Sequence, residues 1–429
     1  MKKRTRTIIF AACIALFLLA APAVVLYSQG YRFDFENRKI TQTGAFYCKT
    51  FPKSAEIYLD GKLKKNTSFL TGSALIENLL PKTYQIEIKK EGFRPWQKTL
   101  EVTEKQVTEA KNIVLFPENI DFEKLIKDVE RFWLSPDGKK IVLYESEETE
   151  WTLKLYELDR DLKSHLINEK DIYARGADLL DLEFSEDSKK VNLKVGMKEQ
   201  EKKFVLDLSR FPPLLTEEKT PAFSESIIAF KKTNNQVYYL DRLGYVFRVN
   251  SSALPPETGT GTRINRNPFP VKPETKYDLE APSDSFIFLR EKNDLYLFNP
   301  ESGLLERFFD NFPGLEISPD SSKLALSSDS EIWVLFLKDK NDRPVRKTGE
   351  KIFLTRMAAK IGKVLWLNSD YLAFDCGEEI KIVETDDRDK INMVNLAKFE
   401  SPEIFWNRWD KKIYVFSEGN LYRSQALLP

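Results

Sequence analysis

A chain of 429 residues and 49.9 kDa has room for two or three domains, one of them with a large core. Its 66 lysines and arginines equal its 66 aspartates and glutamates, which argues against a general nucleic-acid binder, since those carry a basic excess. Three cysteines, Cys13, Cys48 and Cys376, are too few and too scattered for a disulfide framework or a zinc site, and 12% aromatic residues with little helical periodicity after residue 30 predict a mainly β protein.

The chain opens on a basic tail, residues 1–7, carrying Lys2, Lys3, Arg4 and Arg6. An uncharged run over 8–27 follows, with Ile8, Phe10, Leu16, Phe17, Leu19, Val24, Leu26 and Tyr27 as its candidate anchor residues. At helical rise it is long enough to cross a bilayer core of about 30 Å. The predicted element is a single transmembrane helix with its N-terminus in the cytoplasm, because basic flanks stay on that side, and with the remaining chain outside. Two alternatives stay open: a signal peptide cleaved after Ala21-Pro22-Ala23, against which Val24-Val25-Leu26 prolong the apolar run, and a buried soluble helix. Lipid attachment at Cys13 is disfavoured by the short apolar run ahead of it. Cys48 and Cys376 are expected to be separate, partly buried thiols.

Residues 28–43 form a polar juxtamembrane connector, expected to make a short strand or hairpin. From residue 44 alternating apolar positions predict short strands over 45–50, 55–59, 84–88, 99–102 and 113–116, with Asp60-Gly61 closing a hairpin. Within 44–117 five features occur in order: Pro52-Lys53-Ser54-Ala55, Ile57 with the turn Asp60-Gly61, Leu80-Pro81-Lys82-Thr83-Tyr84, Gly92, and Trp96. In this order they resemble the PEGA domain, a small β-sandwich-like module. The chain departs from that pattern at Lys53 and Ser54 of the tetrapeptide and at Lys82, where the family has glycine. The resemblance implies an extracytoplasmic, often membrane-tethered protein associated with surface layers or cell walls, and it brings no catalytic residues. Pro52, Ala55, Asp60, Gly61, Pro81, Tyr84, Gly92 and Trp96 are therefore read as framework, Gly92 as a turn and Trp96 as a core aromatic.

From residue 118 to 429 the stretch FWLSPDGKKIVLYE at 132–145 returns in altered form. It reads as strand, corner, strand: proline sets φ, aspartate bonds the backbone ahead, and glycine accepts positive φ. Seven such units are found, with corners at Asp137, Asp187, Asn235, Asp284, Asp320, Ser369 and Asp410, spaced 50, 48, 49, 36, 49 and 41 residues apart. These periods suit four-stranded propeller blades, and the Ser-Pro-Asp-Gly unit is similar to the repeat of TolB-like, WD-repeat-like propellers. The expected fold is thus a seven-bladed β-propeller. The last unit ends close to the C-terminus, so residues 119–128 are expected to supply its outer strand and remove the open edge.

Catalytic and cofactor signatures are missing. His165 is the only histidine, placed in an outer strand or loop, and there is no glycine-rich phosphate loop and no C-x-x-C. No cofactor or metal is expected. The corner aspartates Asp137, Asp187, Asp284, Asp320 and Asp410 are read as structural. Residues 250–275 are the longest turn-rich segment, expected to protrude between blades three and four, while Trp406 should be core and Trp409 exposed near the rim. The reading is a membrane-anchored extracytoplasmic binding or scaffold protein whose propeller recognises a protein or a cell-wall or surface glycan, with no nucleic acid. The alternative is a glycan- or peptide-active envelope enzyme. Buried channel acids with raised pKa would favour the enzyme, an ordinary polar channel the binder.

Overall fold

Each Ser-x-Asp corner is fastened by its own side chains. At the first, Ser135 Oγ donates to Asp137 Oδ1 at 2.6 Å, the Lys139 N–H donates to the same oxygen at 3.0 Å, and Gly138 sits at φ +70°. Ser185 with Asp187 and Ser318 with Asp320 repeat the 2.6 Å contact, although Ser188 and Ser321 stand where Gly138 does, at φ +57° and +54°. The left-handed residue lets the second strand leave with the right twist, at some cost to a residue with a Cβ. Asp410 accepts from the Lys412 N–H and the Tyr414 hydroxyl. Asp284 departs from the pattern: the strand Tyr277–Ser283 runs through Pro282 and Ser283, expected in the turn, and Asp284 instead accepts from Tyr238 of the preceding unit at 3.2 Å.

The computed structural model describes residues 3–147, 150–172, 176–197, 200–218, 226–233, 236–250 and 261–428. Lys2 and Asn235 lie outside the described residues, as do 251–260 of the segment expected to protrude. Beyond residue 121 the described chain makes seven four-stranded antiparallel sheets. Six follow chain order. The seventh holds Glu403–Asn407, Lys412–Ser417 and Asn420–Ser424, and its outer strand is Phe122–Ile126, which pairs Phe122 with Ser424 and Glu123 with Arg423. Closure by the segment ahead of the first unit is therefore observed, with an ion pair of 2.7 Å between Arg423 and Glu123 on that seam.

Among the described residues, shared apolar clusters join six of the seven neighbouring pairs of sheets. Leu153 and Leu193 share one apolar cluster, Leu240 and Leu289 another, and Leu295 and Leu326 a third. Val334 and Phe374 join the fifth and sixth sheets, and Ala373 and Val415 the sixth and seventh. Leu143 with Tyr414 and Leu421 closes the seventh onto the first, where the Phe132 and Phe405 rings lie 4.4 Å apart. Corners are tied as well: Lys140 Nζ donates to the Ser188 carbonyl at 3.1 Å, Lys323 Nζ to that of Ser369 at 2.5 Å, and Asn407 Nδ2 to that of Gly138 at 2.7 Å.

The small domain is a sandwich. One sheet orders Ser73–Leu79, Gly44–Phe51 and Val107–Val114, the last two parallel; the other orders Lys62–Asn66, Glu56–Leu59, Lys82–Lys90 and Phe93–Val102. Ile57, Ile86, Ile88 and Trp96 fill the space between them. Asp60 and Gly61 make the predicted hairpin at φ +49° and +74°, and Ser54 holds φ +59° at the tetrapeptide position where glycine was the expectation from resemblance. Ahead of it, Lys3–Ser28 is one helix with Pro22 inside, followed by the hairpin Tyr31–Asp34 and Lys39–Gln42.

Two expectations are refined. The described part of the supposed protrusion is fastened: Thr262–Arg263 is the fourth strand of the third sheet, Asn265 is buried and donates to the Gly244 and Asn267 carbonyls, and Phe269 packs 4.8 Å from the Tyr296 ring. Cys48 and Cys376 are separate thiols as expected, but fully buried ones, and burial pushes Cys48 up to about 12.

The corners generate a paired prediction. A Cβ on Gly138 would meet Asn407 Oδ1 at 2.0 Å, so Gly138→Ala is expected to cost roughly 2 kcal/mol or more. Ser321→Gly relieves left-handed strain and should lie within about 0.5 kcal/mol of wild type or above it. Urea midpoints compare the two; equal losses would refute the account.

Candidate functional site

The strand Phe93–Val102 alternates buried and exposed, and Trp96, Lys98, Leu100 and Val102 point inward. A lysine in that phase needs a partner, because a buried ammonium without one is costly. Lys98 finds it on the propeller. Its Nζ lies 2.7 Å from Glu384 Oε1 and donates to the carbonyls of Asp386, Arg388 and Lys390 at 2.8, 2.8 and 3.0 Å, with the side chain wholly buried. Alternate carbonyls of the loop after the sixth sheet's third strand thus wrap one ammonium. Glu384 also accepts from Trp96 Nε1 at 2.8 Å and from the Asn392 backbone and side chain at 2.9 and 2.7 Å. Burial still raises its carboxyl above the usual range in spite of Lys98.

Further contacts surround this pair. The Val114 N–H donates to the Tyr371 hydroxyl at 3.0 Å, Asn112 donates to Asp370 at 2.9 Å, the Thr99 N–H donates to Asp389 at 2.6 Å, and Arg388 donates to the Glu109 carbonyl at 2.8 Å. Val114 and Phe116 enter the apolar cluster of the sixth and seventh sheets. Trp96 is a core aromatic, as expected, and in addition a contact between the domains.

Asn112 meets Asp370 beside the first-to-second turn of the sixth sheet, and Lys111 lies 3.9 Å from Asp342, between the third and fourth strands of the fifth, so the small domain sits against the turn face of these two sheets. The same face opens onto the central channel, a cavity of about 400 Å³ walled by Glu316, Lys363, Phe405, Trp406 and Arg408. An adjoining space of about 300 Å³ shares Glu316 and is bordered by the Lys231–Glu280 pair at 2.8 Å. The Lys363 ammonium lies over the Phe405 ring at 3.8 Å, and the Lys363 backbone N–H donates to Asp375 at 2.8 Å. Trp406 lines the mouth with its indole N–H buried and unpartnered.

The channel charges are mutually adjusted. Burial raises the Glu316 carboxyl, and Lys363 and Arg408 oppose the rise; burial lowers the Lys363 ammonium, and Glu403, Glu316 and Asp375 oppose the fall; burial raises Asp375. Glu316 and Lys363 are exposed side chains on the cavity wall. Acids of raised pKa are therefore present, but they share a lysine rather than forming an isolated carboxyl pair. Among the described residues no three histidine, cysteine or acidic side chains gather as a metal site would require.

The residues singled out from sequence are distributed, not convergent. Ile8, Phe10, Leu16, Phe17, Leu19, Val24, Leu26 and Tyr27 of the helix are all exposed. Ala55, Tyr84 and Trp96 are buried in the sandwich, and Asp60 pairs with Lys82 at 2.9 Å. The corner aspartates serve turns. His165 is exposed on an outer strand, and Trp409 is 44% exposed with Lys139 above its ring. Sequence reasoning passed over Lys98 and Glu384; the available signal was a lysine in core phase within Trp96-Gln97-Lys98-Thr99-Leu100.

Two outcomes follow. Lys98→Met leaves Glu384 buried without its cation and is expected to cost about 3–5 kcal/mol, while Lys64→Met on the exposed strand should stay within about 0.5 kcal/mol; thermal unfolding of both compares them, and a mild effect at Lys98 would contradict the buried lock. For Glu316, a folded-state pKa above the ordinary 4.5 means the native chain holds more protons than the unfolded chain, so its contribution to stability falls as pH rises through that window. Glu316→Gln should gain on wild type with rising pH, and parallel pH profiles from urea midpoints would refute this.

Comparison with known proteins follows the same division. Residues 43–115 match the PEGA domain. No curated protein sequence matches the chain. Among solved structures it is similar to a chain of the Mitotic Checkpoint Complex, at 10% identity and TM-score 0.42 over 72% of this chain and 92% of that one. It is similar also to the Cps50 (Swd1) β-propeller domain of Myceliophteria thermophila, at 12% identity and TM-score 0.42 over 72% and 100%. A third is virginiamycin B lyase from Staphylococcus aureus, at 12% identity and TM-score 0.42 over 71% and 99%. With its two packed sheets and the family match in agreement, the segment 43–115 is a PEGA domain, seated on the β-propeller that follows it.

Proposed function

We propose that the chain is a single-pass, membrane-anchored binding protein of the cell envelope, in which the PEGA domain holds a seven-bladed, TolB-like propeller at the outer membrane face for a protein or glycan partner. The observation that carries this reading is the buried Lys98–Glu384 lock, because it turns two domains into one oriented body behind an N-terminal apolar helix. The helical run Ile8–Ser28 has the length of a bilayer core at about 1.5 Å per residue. Phe33, Phe35 and Ile40, on the hairpin directly after it, are 47%, 82% and 60% exposed, which suits a headgroup region. The channel mouth offers Phe405 and Trp406 beside Arg408, apolar faces with charged neighbours of the kind that recognition uses.

A second reading, an envelope glycan- or peptide-active enzyme, draws on the raised carboxyls of Glu316 and Asp375. In whole cells the full chain is expected to stay with membranes after an alkaline wash, and a cross-linker placed at Trp409 is expected to trap one partner reproducibly. A released chain starting at Val24 would overturn the anchor, and capture of only non-specific neighbours would count against binding. Turnover of envelope glycan or peptide that Glu316→Gln abolishes would favour the enzyme.

A further inference from the structure

Between the two domains lies a cleft of about 800 Å³ that neither the docking contacts nor the channel account for. The PEGA domain contributes Lys49, Phe51 and Ile113; the propeller contributes the corners at Asp320 and Asp370 and the segment through Lys340. Its volume is in the range of small-molecule sites and far above the roughly 30 Å³ of one water.

The carboxylates in its walls already have donors. Asp320 accepts from Ser318 and Ser322, Asp339 from Lys347 and Thr348, and Asp370 from Asn112 and from buried Lys323. Asp342 is 73% exposed, with Lys111 at 3.9 Å. The lysines are less well served. Lys323 spends its protons on the Ser369 carbonyl, Asp370 and Thr385. Lys340 is half-buried and Lys49 exposed, and among the described residues the ammonium of neither has a hydrogen-bond or carboxylate partner. Burial, and then the neighbouring Lys323, hold the Lys340 ammonium below the ordinary lysine range. A half-buried cation beside a second, buried cation, with Asp320, Asp339 and Asp370 already holding donors of their own, is a charge arrangement that an incoming anion completes.

We propose that this interdomain cleft binds a small organic anion, a phosphate- or carboxylate-bearing molecule, with Lys340 of the propeller and Lys49 of the PEGA domain as its cationic contacts. Such a ligand joins the two domains at a second point, independently of whatever occupies the channel. Phe51 and Ile113 give its non-ionic part an apolar wall.

The test is calorimetric titration of the full chain in detergent micelles with inorganic phosphate and, separately, citrate, at constant ionic strength. At least one anion is expected to bind the wild type, and Lys340→Gln to weaken it about tenfold or more, whereas Lys64→Gln leaves it unchanged. Without anion, Lys340→Gln should melt at the wild-type temperature or above, since it removes an unpaired charge. Lys49→Gln, on the exposed surface, supplies a second variant and should weaken the same anion. Preference for phosphate over citrate assigns a phosphate-bearing ligand, and the reverse a carboxylate. Failure of both anions to bind at millimolar concentration, or equal affinity in wild type and both cleft variants, would overturn the proposal.

Discussion

One buried ammonium organises the relation between the domains. Lys98 stands in a core-phase position of the sandwich, and its charge is met by a propeller carboxylate and three propeller carbonyls. Coulomb attraction alone does not make such a pair favourable, because two ions must leave water. What makes it tolerable is saturation: Glu384 has Trp96, Asn392 and Lys98 as donors, and Lys98 has an acceptor for each proton. The consequence is directional. The loop 385–392 turns three of its carbonyls onto Lys98, so the strand of one domain and the loop of the other complete each other.

The propeller obeys a different economy. Its corners are short local motifs; three are closed by a serine hydroxyl and an aspartate, and longer side chains such as Lys140, Lys323 and Asn407 tie corners to their neighbours. Repetition allows individual units to vary, as Asp284 and the fastened segment around Asn265 do, because the inter-sheet apolar clusters carry the ring. Function is then free to reside where repetition ends: the channel mouth and the seam against the PEGA domain.

Most of the architecture was legible because its determinants are local. Period-two alternation, turn residues and a run of uncharged residues act over a few positions, so the helix, the sandwich strands, the repeated units and the closing strand could be anticipated from Phe132, Asp137 and their counterparts. Docking could not be anticipated in the same way. Lys98 meets loop residues 288 positions away, and no spacing rule links them. The channel was illegible for a related reason: Glu316, Lys363 and Arg408 come from three separate units, and only ring closure brings them to one cavity. The segment ending at 275 looked free because it is rich in proline and glycine, yet Asn265 and Phe269 anchor it through contacts that composition does not disclose.

The closing strand Phe122–Ile126 follows the PEGA domain by only a few residues, and its partner Asn420–Ser424 is near the far end of the chain. This places the ring's seam on the mechanical route between the N-terminal helix and everything beyond it. A pull applied at the helix would unzip that strand first if the chain ran straight from one domain to the next. The docking contacts lie ahead of it and in parallel, so tension reaches the sixth sheet through Glu384 and Tyr371 before it reaches the seam. Under such a pull the PEGA domain would serve as a strain relief, keeping the load off the seam while the Lys98–Glu384 contact holds.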